Sequence, residues 1–185
     1  MLALYLPAAL AAASPTTTTS SAAAEGDLIS IGVGHAMYAV FGHAALRVRY
    51  ADGRDLAYNF GGVDIEQEGF WLKLMQGRID AYLEVTPYSD LLLKYSGEDR
   101  TIVGRKLALN EAQARQLVTK LEHLNHDDRR YYKYHHIFDN CTTRAAELVD
   151  EVMQGKMSKY ASYPVSGTYR DWILARIWRA TARGT

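Results

Sequence analysis

The sequence predicts an α+β domain in which an antiparallel sheet packs against helices, and three observations carry that expectation. Short alternating segments bounded by turn residues crowd the first half of the chain, a hairpin signal joins two of them, and the best helical stripes follow Asn110. Asp27–Gly34 (DLISIGVG) is short, apolar and ends in glycines, as a strand does. His43–Tyr50 (HAALRVRY) alternates, with Ala44, Leu46, Val48 and Tyr50 on one side and His43, Ala45, Arg47 and Arg49 on the other. That is the pattern of a half-buried strand. Asp52-Gly53 then turns the chain, and Asp55–Phe60 returns as its partner, ending at Gly61-Gly62. Phe70–Gln76 reads as a short apolar helix stopped by Gly77, Ala81–Thr86 as a strand, Tyr88–Tyr95 as a short helix, and Thr101–Leu109 alternates again.

The clearest helix is Glu111–His126. Asn110 can cap it with Gln113 three residues on, and Ala114, Leu117, Val118, Leu121 and Leu124 form its apolar stripe. A second helix opens at Cys141, with Asp139 or Asn140 as its cap and Ala145, Leu148, Val149 and Val152 facing inward. Tyr169–Arg179 closes the chain as a third. No internal repeat and no second domain is evident, so residues 27–185 form one domain.

Composition narrows the function. The 185 residues are 48% hydrophobic and 23% charged, ordinary for a chain with a packed core. Twenty-one Lys and Arg balance 21 Asp and Glu, so the basic excess that nucleic-acid binding by counterion release demands is absent. No run of about 18 apolar residues reads as a membrane-spanning helix. Leu2–Ala13 is apolar and of signal-peptide length, and Ser14–Ala24 is a Pro/Thr/Ser/Ala tract. Residues 1–26 therefore read as a signal-peptide-like segment and linker, pointing to export, although no Lys or Arg precedes the apolar run.

One cysteine, Cys141, excludes an intrachain disulfide and any paired-cysteine zinc ribbon. It falls at the first turn of a helix, where free N–H groups and the positive end of the macrodipole favour thiolate over thiol. The same N–H groups suit an oxyanion. Position alone also fits a small buried hydrophobe, as many single cysteines are. A thiolate nucleophile needs a base. His43 begins a strand among small neighbours, His35 lies in the glycine-rich loop before it, and His135 and His136 lie close to Cys141 in sequence. His123 and His126 sit at the end of the best helix. Spacing does not choose among them. A zinc site could draw on His135, His136, Cys141 and His35 or His43. The one ligand-like spacing, His123-x-x-His126, is remote from the thiol, so no metal and no other cofactor is assigned.

FGHAALRVRY, YNFGGVD, KLMQGRIDAYLEV and YKYHHIFDNCTTRAAELVDE, in that order, resemble the N-terminal periplasmic domain family of the lipoprotein intramolecular transacylase Lnb. The resemblance covers about Asp27–Glu151. Its most specific parts are Gly42–Arg47 and Asp139–Arg144. The order of parts also looks like circularly permuted papain-like enzymes of the NlpC/P60 and lecithin–retinol acyltransferase type, in which a strand-borne histidine precedes a helix opened by Asn-Cys. The resemblance implies Cys141 as nucleophile, His43 as base and Asn59 as the residue orienting the imidazole. It leaves Asn140 as a helix cap, and Arg144 to pair with Asp139 or with an anionic substrate group. His135-His136 stands where the family usually has an acidic–aromatic pair, which removes both from a shared catalytic role.

The function so implied is a Cys–His thiol acyltransferase or hydrolase of the bacterial envelope working through a thioester. Its substrate would be an acylated lipid, lipoprotein or peptidoglycan peptide. Two alternatives stand beside it: an NlpC/P60-like cell-wall peptidase or amidase, and a catalytically silent binding module. The transacylase carries membrane spans beyond this domain. Peripheral contact with a membrane would here fall to aromatics such as Phe70, Trp71, Trp172 and Trp178, whose competing expectation is burial in the core.

Overall fold

The computed structural model describes residues 24–64, 66–160 and 166–181. The signal-peptide-like run and nearly all of the tract after it lie outside the described residues. Six strands form one antiparallel sheet: β1 (Glu25–Ile31), β2 (His43–Arg49), β3 (Asp55–Val63), β4 (Asp80–Pro87), β5 (Ile102–Lys106) and β6 (Tyr131–Lys133). Their order across the sheet is β5-β1-β2-β3-β4-β6. The helices are α1 (Phe70–Met75), α2 (Tyr88–Gly97), α3 (Glu111–Leu124), α4 (Cys141–Val152), α5 (Lys156–Tyr160) and α6 (Tyr169–Thr181). The expected α+β class is thus observed.

Strand alternation sends side chains to two covered faces. On one, Leu46 and Val48 of β2, Tyr58 and Phe60 of β3 and Leu83 of β4 meet Leu117 and Leu121 of α3 and Ala145, Leu148, Val149 and Val152 of α4. On the other, Ile29, Ile31, Ala45 and Ala57 lie under Leu91 and Tyr95 of α2. The expectation that β2 is half-buried is corrected here: Ala45 is as fully buried as Leu46. Small residues there hid the second face from the sequence, because alanine carries little hydropathy signal yet lets a helix approach closely. α3 begins as its sequence requires, with Asn110 Oδ1 accepting from the Gln113 amide at 2.9 Å and Gln113 Oε1 accepting from the Asn110 amide at 3.0 Å.

Two further readings are revised. β3 runs through Gly61 and Gly62 to Val63 instead of ending there, and the β3–β4 register shifts between Asn59 and Gly62. That bulge lets the strand continue past its glycines. α5 was not expected: Asp150 Oδ1 accepts from the Met157 amide at 2.7 Å, starting a short turn that no long apolar stripe announces. Phe70 is buried, whereas Trp71 is 56% exposed and Trp172 is 53% exposed, so core burial holds for the first aromatic and fails for the other two. The Trp178 side chain lies outside the described part of α6.

Candidate active site

β2 begins at His43 because the chain turns sharply just before it. Gly42 has φ +75°, and a Cβ there would stand 2.8 Å from the Ile31 carbonyl oxygen, so only glycine enters the strand this way. Across from His43 the β2–β3 ladder has already stopped, its last pair being Leu46 and Tyr58. The space between the strands belongs to the imidazole. A Cβ on Gly61 would fall 2.6 Å from His43 Cε1 and 3.0 Å from Asn59 Oδ1.

His43 Nε2 and Asn59 Oδ1 are 2.5 Å apart. The amide oxygen can only accept, so Nε2 carries the proton and Nδ1 is the nitrogen left over. Asn59 is 5% exposed, and its Nδ2 donates to Glu84 Oε2 at 3.0 Å across the β3–β4 pair. The Tyr95 ring of α2 covers the imidazole from one side, centroid to centroid 5.9 Å.

Cys141 arrives from the opposite layer. Residues 135–139 close a tight turn, with the His135 amide donating to the Asp139 carbonyl at 2.7 Å and the reverse bond at 3.1 Å. His135 Nδ1 accepts the Ile137 and Phe138 amides inside that turn, and His136 Nε2 donates to the Leu74 carbonyl, so both histidines serve the loop. Asn140 is the N-cap of α4: its Oδ1 accepts from the Thr142 and Thr143 amides at 2.9 and 3.1 Å, and its own amide donates to Thr143 Oγ1. The Cys141 amide is left without a protein acceptor among the described residues. Asp139 is not the cap. It holds Arg144 through two bonds of 2.5 and 2.8 Å while the guanidinium lies 3.7 Å over the Tyr132 ring, so Arg144 is engaged in the fold.

The sulfur lies beside the His43 side chain and the Ala44 amide, near enough for both to act on its ionisation, and Thr142 Oγ1 stands 3.9 Å away. Burial pushes the thiol up, but the His43 bond and charge, the Ala44 amide and the Thr142 hydroxyl outweigh it and bring it down to about 7. The structure therefore brings Cys141, His43 and Asn59 into one chain of contacts, with Asn140 shaping the helix start. His35 is exposed on its loop, and His123 and His126 are exposed at the far end of α3. Among the described residues no group of three His, Cys, Asp or Glu side chains is arranged to hold a metal ion.

Three contributors escaped the sequence. Glu84 alternates with buried Leu83 as any strand carboxylate might, Tyr95 read only as the end of a short helix, and Gly61 looked like a strand end. A slot of about 280 Å³ opens beside His43, Ala44 and Thr142, walled mainly by Leu28, Ile31, Phe41, Ala145, Val149 and Met157.

The molecule is an antiparallel α+β domain with a cysteine at a helix start beside a strand histidine. The chain belongs to the Lnb N-terminal periplasmic domain family, whose match spans residues 13–175. No curated protein and no solved structure matches it. Among the described residues no helix is long and apolar enough to cross a membrane.

Proposed function

We propose that the protein is a Cys–His thiol acyltransferase or hydrolase of the bacterial envelope, exported to act on an acylated substrate there. The single observation that carries this reading is the placing of the Cys141 sulfur, at the start of α4, beside an imidazole whose Nε2 is held by Asn59. The order of parts, a strand histidine first and a helix-borne cysteine later, also supports kinship with permuted papain-like enzymes. The apolar slot beside His43, Ala44 and Thr142 favours an acyl group over a peptide as the part of the substrate held there.

His43 takes the thiol proton, and the thiolate attacks the carbonyl carbon of an ester. A carbon–sulfur bond forms, and the oxyanion of the tetrahedral intermediate faces the free Cys141 amide at the positive end of α4. The carbon–oxygen bond then breaks, and the leaving alkoxide collects its proton from the His43 imidazolium. That leaves a thioester on Cys141. An amine or water gives its proton to His43, attacks the thioester, and releases the acyl product and the thiolate.

The test uses p-nitrophenyl octanoate and intact-mass spectrometry. An octanoyl adduct on Cys141, removable by hydroxylamine and absent from Cys141→Ala, is expected. Nitrophenol release that persists unchanged in Cys141→Ala, or cleavage of peptide bonds in purified peptidoglycan with no adduct from any ester, would overturn the acyl-transfer reading.

A further inference from the structure

We infer that Glu84 is a positioning residue of this site: its carboxylate sets which way the Asn59 amide points, and through it which nitrogen of His43 carries the proton and which is left to accept one from the thiol. The inference rests on the Cys141–His43 reading above and adds a residue to it. A primary amide has one accepting end and one donating end, and an amide buried like Asn59 can exchange them by rotating half a turn. A carboxylate has no donor, so Glu84 Oε2 at 3.0 Å can be satisfied only by Nδ2. Oδ1 must then face His43, 2.5 Å away. An oxygen there demands the proton on Nε2, and Nδ1 keeps the lone pair that takes the thiol proton. With the amide reversed, Nδ2 would meet Nε2, the proton would move to Nδ1, and the ring could no longer act as base toward Cys141.

The placement of Glu84 follows from the sheet. Asn59 and Glu84 are direct cross-strand partners immediately before the β3 register shift, so their side chains leave the same face side by side. The same negative charge lies behind the imidazolium once His43 is protonated. The tyrosines near the pair stay silent through the neutral range. Tyr95 from α2 faces both Glu84 and Cys141, and burial pushes it up to about 12. Tyr132 from β6 and Tyr134 just beyond it face Cys141, and burial raises both. A change in thiol reactivity near pH 7 therefore reports on the dyad and what orients it.

Because Cys141 is the lone cysteine of the chain, iodoacetamide labelling reads this site directly. Glu84→Gln, whose amide can donate as well as accept, releases the constraint on Asn59. Labelling at pH 7 is expected to fall about fivefold, with the apparent thiol pKa moving toward the ordinary cysteine value. Adding Asn59→Asp to that variant places an acceptor-only group against His43 whatever residue 84 does, and labelling should return to within about twofold of the starting protein. A residue needed only for packing would not be rescued this way. In the unsubstituted protein, ¹⁵N shifts of the neutral His43 ring should show the proton on Nε2.

Unchanged labelling in Glu84→Gln, a Glu84→Gln chain that has lost its fold, a double variant no faster than Glu84→Gln, or a proton found on Nδ1 each overturns the inference. The underlying reading fails separately. A starting protein whose thiol labels like a denatured control, and is indifferent to His43→Ala, removes the dyad itself; a fast thiol slowed by His43→Ala but not by Glu84→Gln removes Glu84 alone.

Discussion

The two ends of β2 place polar groups on the same face and use them in opposite ways. At one end Arg47 gives two hydrogen bonds to Asp55 and lies 3.9 Å over the Tyr88 ring, and Arg49 bonds Asp27 and Glu25. Lys106 closes the group by bonding Glu25. Every charge there meets its opposite, and the arrangement is chemically finished. At the other end, two alternations away, His43 has Nε2 held by a neutral amide and a thiol beside its ring. The nearby amide of Cys141 has no acceptor in the protein among the described residues. On the proposed reading, the difference teaches what separates a structural polar cluster from a reactive one: the first is saturated internally, while the second leaves a donor and a thiol for something that comes from outside.

Substitutions at the two ends should therefore separate cleanly, and the largest effect belongs to the imidazole. His43→Ala removes the partner that outweighs burial, so the Cys141 thiol should rise from about 7 to at least the ordinary cysteine value. Since the thiolate is the form present above the pKa, iodoacetamide labelling at pH 7 should slow at least about tenfold, and the midpoint of its pH profile should move upward. An unmoved midpoint would mean the ring does not act on the sulfur.

Gly61→Ala comes next. The added methyl would stand 2.6 Å from His43 Cε1, so the ring must leave its place or the strand must shift. Overpacking of this kind costs about 1–3 kcal/mol, and labelling should fall several-fold. A crystal structure with the His43–Asn59 bond intact and labelling unchanged would count against the geometry described. Asn140→Ala should act more gently, at about 1 kcal/mol of stability in urea unfolding, because two amides at the start of α4 lose their acceptor. Labelling should drop only about twofold as the helix start frays.

Arg47→Met, at the saturated end, should leave the labelling rate where it was. It should still lower stability by about 1–2 kcal/mol, since Asp55 loses its partner while the aliphatic stem remains. Slower labelling in this variant would erase the contrast between the two ends.

Much of the fold was legible from local pattern. The hairpin at Asp52-Gly53, the Asn110–Gln113 box and the α4 stripe all act within a few residues, where rotation per residue and capping chemistry decide the outcome. What misled the reading was local silence. Alanines at Ala45 and Ala57 concealed a covered face, and Gly61-Gly62 read as an end because a bulge and a close ring approach leave the same mark as a turn. In the site, Cys141 and His43 could be nominated by helix start and strand start. Arg144 could not be assigned between Asp139 and a substrate, because an ion pair five residues apart depends on the tight turn at residues 136–138, which spacing does not reveal.

By itself the sequence determined most of the element types, the absence of charge excess, the lone thiol, and the family motifs around Gly42–Arg47 and Asp139–Arg144. Only the tertiary structure decided that a histidine on the α2 face of the sheet meets a cysteine from the α4 face, and that Asn59 and Glu84 line up behind it. The physical reason is that those meetings are set by strand order, register and a ladder that opens at one end. Such features arise from the packing of segments far apart in the chain, and no periodicity within any one segment encodes them.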